Sequence, residues 1–160
     1  MKIGWRSEFL FLARLAAGGI LAYAGWEKLT EPAAVFEAAL LKYGVLSPAW
    51  VPWVSRILPW AEWLLGCFLV AGYATRLTAS GAGFLFLSFL VTLTSSPLFL
   101  ESGGSDCGCF GNSSFRLTVH QIFFVDLAGL GISLKLAFGP TPLRSADSFL
   151  LKWGERQADI

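Results

Sequence analysis

Cys107 and Cys109 stand one residue apart in the string Ser105-Asp106-Cys107-Gly108-Cys109-Phe110-Gly111-Asn112. Two thiols this close can cycle between dithiol and disulfide, and Gly108 loosens the backbone between them. A C-x-C disulfide closes a small ring. Its strain should raise the reduction potential and make it an oxidant toward other thiols. Two other chemistries fit the same residues. With His120, the two thiolates would give three ligands suited to Cu(I) or a partial zinc site, though no fourth ligand is evident. Or the pair is a static link, which closes too small a loop to stabilise much. Redox exchange is the preferred reading, and no metal is expected.

The remaining candidates are ionisable residues in apolar surroundings. His120 is the only histidine. It is suited to accept a proton near a quinone or thiolate; an interfacial histidine bonded to water or backbone is the alternative. Arg116, one turn earlier, can lower a cysteine pKa or simply be an exposed cation. Asp126 lies deep in an apolar stretch, where an acid is costly unless it is partnered or functional. Arg14 is a candidate partner, although it lies further toward the other membrane face. Asp126 and His120 point about 120° apart on an ideal helix, so they do not form one local site. Cys67, in another apolar stretch, reads as a small packing residue. The chain has 3 cysteines, so no second pair exists for an internal relay. No haem C-x-x-C-H, HExxH, P-loop or GxGxxG string is present.

These residues must be positioned by membrane helices. The 160-residue chain is 55% hydrophobic and 14% charged, against roughly 25% charged in soluble domains. A net charge of +1 gives no basis for a nucleic-acid partner. Four stretches reach the roughly 20 apolar residues a bilayer span needs: Phe9–Leu29, Ile57–Thr75, Leu77–Leu100 and Leu117–Phe138. None alternates as a barrel strand would, so the fold class is all-α: one domain over residues 1–160, an integral membrane four-helix bundle. Ala22-Tyr23-Ala24 resembles a leader cleavage site, but the preceding apolar stretch is long for a leader, and we read an uncleaved first helix.

Two of these spans share a spacing. Arg14, Gly18, Leu21, Gly25 and Lys28 form one helical stripe; Glu62, Gly66, Leu69, Tyr73 and Arg76 form another. Small residues allow close approach and charged ones must face protein or water. Antiparallel helices would put Lys28 beside Glu62, in a charge network with Arg14. Between these spans, Pro32 to Tyr43 reads as a short amphipathic helix with Val35, Phe36, Ala39, Leu40 and Tyr43 on one side. Gly44 stops it, and Pro48 and Pro52 break the stretch after it. Beyond Phe138 the tail 140–160 contains an interfacial helix over Ser145 to Trp153.

Orientation is read from the basic residues. With the N-terminus inside, Lys2, Arg6, Arg76, Lys135, Arg144, Lys152 and Arg156 lie inside, against Lys28, Lys42, Arg56 and Arg116 outside. Both termini are then cytoplasmic and the C-x-C loop faces the side where disulfides persist. Trp26, Trp50, Trp53, Trp60 and Trp63 fall at the outer boundary, and Trp5 and Trp153 at the inner one, as an aromatic belt would.

The string Cys107-Gly108-Cys109-Phe110-Gly111, between the third and fourth of four membrane helices, resembles the MauE family, the methylamine-utilisation branch of the DoxX-like membrane proteins. The resemblance covers most of residues 14–138. It runs through Arg14, Gly25 and Lys28, then Pro32 and Phe36, then Pro59, Glu62, Gly66, Gly72 and Arg76. It implies a redox-associated protein of the bacterial inner membrane that helps make or maintain disulfides in exported proteins, with a thioredoxin-like partner. The layout is also similar to that of quinone-linked thiol oxidases such as DsbB and vitamin K epoxide reductase, which use C-x-x-C and a second cysteine pair. The expectation is therefore a thiol–disulfide redox protein with Cys107 and Cys109 reacting. A membrane quinone would take the electrons under the Trp-rich outer face, with Glu62, His120, Asp126 and Arg116 around that site. The alternatives are a non-catalytic anchor or accessory subunit of a redox complex, and a copper- or zinc-handling protein.

Overall fold

A computed structural model describes residues 2–96 and 118–139, with side chains described from residue 8 onward except that of Val119. Among these residues the chain forms five α-helices and no strand: α1 Lys2–Thr30, α2 Ala33–Tyr43, α3 Val51–Ala71, α4 Thr75–Ser95 and α5 Val119–Phe138. Four are long and apolar enough to cross a bilayer: Glu8–Thr30 of α1, α3, α4, and His120–Phe138 of α5. The chain is a membrane protein of the all-α class. The C-x-C pair, Arg116 and the tail 140–160 lie outside the described residues.

The helix bounds differ from the sequence expectation for definable reasons. Pro52 does not break the chain before α3 but sits in its first turn, where a missing N–H costs nothing. Helix α3 therefore starts at Val51, not Ile57. It ends before Thr75 because Gly72 turns left-handed, with φ 70°. The N–H groups of Gly72 and Tyr73 both donate to the Phe68 carbonyl, closing the helix in a Schellman-type cap. This corrects the second stripe. Tyr73 is 53% exposed, off the buried face, and Arg76 belongs to α4. Helix α4 ends at Ser95, with Ser96 extended before Pro97, as a residue preceding proline prefers. Helix α5 starts at Val119 rather than Leu117. Thr118 caps it, its N–H donating to Gln121 Oε1 at 3.0 Å.

The bundle is built from two helix pairs, α1 with α3 and α4 with α5, joined through α3–α4 and α1–α5 contacts. Glycines hold the first pair at backbone distance. A methyl group on Gly25 would lie 2.7 Å from the Pro59 carbonyl oxygen, and one on Gly66 2.7 Å from the Gly18 carbonyl oxygen. The core between the pairs is Ala17, Leu21, Leu69, Ala82, Phe86 and Leu136 with their neighbours. Helix α2 buries Phe36, Leu40 and Tyr43, the first two against Val51 at the start of α3. Val35, expected on that stripe, is exposed.

Candidate functional site

Close α1–α3 packing brings two charged side chains together in the interior. Lys28 sits in the last turn of α1, and Glu62 lies one turn beyond Pro59 in α3. The Lys28 Nζ donates to Glu62 Oε1 at 2.8 Å and to Oε2 at 2.6 Å. Lys28 is 7% exposed and Glu62 0%. An isolated charge in hydrocarbon costs about 2.5–3.5 kcal/mol on insertion scales, so each is held by the other. The Phe36 and Phe89 rings lie 5.3 and 5.6 Å from the ammonium nitrogen, adding cation–π attraction from α2 and α4.

Asp126 joins this pair from α5. It is buried and lies within electrostatic reach of both Lys28 and Glu62. One ammonium then faces two carboxyl groups, and the trio is neutral only when one carboxyl holds a proton. Tyr43 at the end of α2 lies near enough for Asp126 to act on it: burial first, then the Asp126 charge, pushes the Tyr43 phenol above its ordinary value. The phenol therefore stays a hydroxyl donor across the physiological range.

Lys28, Tyr43 and Asp126 border a cavity of about 270 Å³. Its polar wall is Lys28, Asp126 and Tyr43, with Ser88 and Thr92; the rest is aliphatic and aromatic side chains from all five helices. The last turns of α4 and the first turns of α5 both reach it, through Thr92 and Leu93 and through Ile122 and Val125. The connection that carries Cys107 and Cys109 thus leaves from, and returns to, this end of the bundle.

The other expected residues lie elsewhere. Arg14 is buried toward the opposite end. Its guanidinium stacks over Phe11 at 5.3 Å and fills the space beside Gly72. The expected network divides accordingly: Lys28, Glu62 and Asp126 gather at one end, and Arg14 packs at the other. His120 is exposed in the first turn of α5 and does not line the cavity. Glu62 touches the cavity only through Lys28, since it too is absent from the lining. Cys67 is a half-buried free thiol in α3. Trp26, Trp60 and Trp63 cluster with ring centroids 6.4 and 6.0 Å apart, and none of them lines the cavity. Among the described residues no group of three His, Cys, Asp or Glu is placed to hold a metal ion. Sequence reasoning passes over Phe89, Ser88 and Thr92. They carry no motif, and only the packing of α4 against α3 and α5 gives them a common cavity.

A family model, that of methylamine utilisation protein MauE, matches residues 6–136. No curated protein and no solved structure matches the chain.

Proposed function

We propose a thiol–disulfide redox function for this chain, which belongs to the methylamine utilisation protein MauE family. The reacting groups are Cys107 and Cys109. The connection bearing them opens outside the bacterial inner membrane, and the termini lie in the cytoplasm, in keeping with the excess of Lys and Arg on that side. A thiolate of a thioredoxin-like protein attacks one sulfur of the Cys107–Cys109 disulfide, giving a mixed disulfide and freeing the other cysteine as thiolate. The partner's second thiol then attacks the mixed disulfide. The partner leaves oxidised by two electrons, and Cys107 and Cys109 are left as a dithiol.

One observation carries this reading. The sequence carries the C-x-C pair between α4 and α5, and the facing ends of those two helices lie at the end of the bundle where Lys28, Glu62 and Asp126 are buried. Buried ionisable groups inside a membrane protein mark proton or substrate paths more often than they serve stability, and thiol oxidation releases protons that must be moved. The test uses a Cys67→Ser background in membranes, equilibrated in graded glutathione buffers and trapped with a mass-tagged maleimide. A reversible two-thiol transition, driven also by a reduced thioredoxin-like protein, is expected. A pair that stays oxidised in every buffer would leave the chain a passive anchor.

A further inference from the structure

We propose that the cavity beside Lys28 and Asp126 binds the ring of a lipid-soluble quinone. This inference rests on the thiol–disulfide reading for its purpose but on described residues alone for its site. Its volume of about 270 Å³ lies just under the roughly 300–1,000 Å³ of small-molecule sites, enough for one ring and the start of a chain. Phe36, Phe86 and Phe89 give it aromatic walls, and Ile20, Leu58 and Val125 continue them as apolar surface. Polar character is confined to a few groups. Two of the three Lys28 donors go to Glu62, and the third can serve a carbonyl oxygen. Tyr43 adds polar surface to the same wall, and Asp126 can accept or give a proton. A neutral ring with carbonyl oxygens that become hydroxyls on reduction matches this set. A phospholipid headgroup does not: its phosphate would bring a further negative charge to a site where Glu62 and Asp126 already face Lys28.

Electron balance leads to the same conclusion. After one exchange Cys107 and Cys109 are a dithiol, and the chain has no second cysteine pair to pass the electrons to. Closing their S–S bond again releases two electrons and two protons. A quinone takes up both in becoming a quinol. Lys28, Glu62 and Asp126 form the proton-holding group beside it.

The experiment uses the full chain in quinone-free nanodiscs, with a photoreactive azido analogue of decylubiquinone as probe. Labelled peptides should come from α1, α4 and α5 around Lys28, Phe89 and Val125. Unlabelled decylubiquinone should compete, and excess phosphatidylglycerol should not. Val125→Phe fills the cavity and should cut labelling about tenfold, equivalent to a tenfold weaker affinity. Asp126→Asn, which keeps the volume, should weaken it less. Phe124→Leu, on the exposed side of the same helix, should leave it unchanged. Equal competition by phosphatidylglycerol, or full labelling of Val125→Phe, would overturn the site. The protein with both Cys107→Ser and Cys109→Ser must still label. Labelling without thiol exchange would sink the redox reading and keep the quinone site; thiol exchange without labelling would do the reverse.

Discussion

Lys28 is the residue on which the buried charged cluster depends. Among the described residues it is the cation that faces two buried carboxyl groups, Glu62 and Asp126. Removing it leaves both acids without a counter-charge, so Lys28→Met should cost about 3–5 kcal/mol, as breaking a buried pair does. Glu62→Gln is milder, about 1–3 kcal/mol, because Asp126 remains to balance the ammonium and only a charged hydrogen bond is weakened. Thermal unfolding in detergent checks the order; equal losses would mean that Asp126 does not share the site. The pairing of Lys28 with Glu62 is legible from spacing alone, since stripes that carry both glycines and charges have to face each other in lipid. Asp126 is legible as costly, but its neighbours are not. Sequence offers Arg14 as a partner, while the fold sets Arg14 beside Gly72 and Asp126 beside Lys28.

At the scale of elements, the α1–α3 seam makes the site possible. Gly66→Ala would drive a methyl group into the backbone of Ala22 and Gly18 and should cost about 1–3 kcal/mol, as overpacking does. Gly19→Ala meets no atom within 4 Å and should stabilise by up to about 1 kcal/mol through helix propensity. The contrast is read from paired melting curves, and a Gly66→Ala protein as stable as wild type would contradict close contact. The α3–α4 turn carries a second test. Gly72→Ala places a side chain at φ 70° and against the Arg14 guanidinium, which should cost at least about 1–2 kcal/mol. These turns are also where sequence misleads. Pro52 resembles a breaker until it is seen to lie in a first turn. Gly72 leaves no trace in hydropathy, so spacing extends the second stripe through Tyr73 to Arg76 although the chain has already turned back. The amphipathic α2 and its Gly44 stop are readable because local composition alone decides them.

For the whole molecule, four spans and an all-α membrane fold can be read from composition and length, because a bilayer imposes both. The cavity cannot. Its wall takes side chains from all five helices, and no single segment contains its pattern. Orientation is the testable property at this scale. After mild reduction of spheroplasts, a membrane-impermeant maleimide should label Cys107 and Cys109 without permeabilisation. A cysteine introduced at Ala158→Cys should label only after it. The reverse pattern would turn the bundle over and put the thiols on the reducing side. The central claim, that Cys107 and Cys109 exchange disulfides with a thioredoxin-like protein, is tested most directly by trapping. Cys107→Ser and Cys109→Ser, made separately in a Cys67→Ser background, are mixed with that protein in its oxidised, disulfide form, whose S–S bond the remaining thiolate attacks, then acid-quenched and run without reductant. One of the two variants should hold a covalent adduct that dithiothreitol releases, and the double serine variant should hold none. No adduct with either single variant, while the unaltered pair stays oxidised, would contradict the claim.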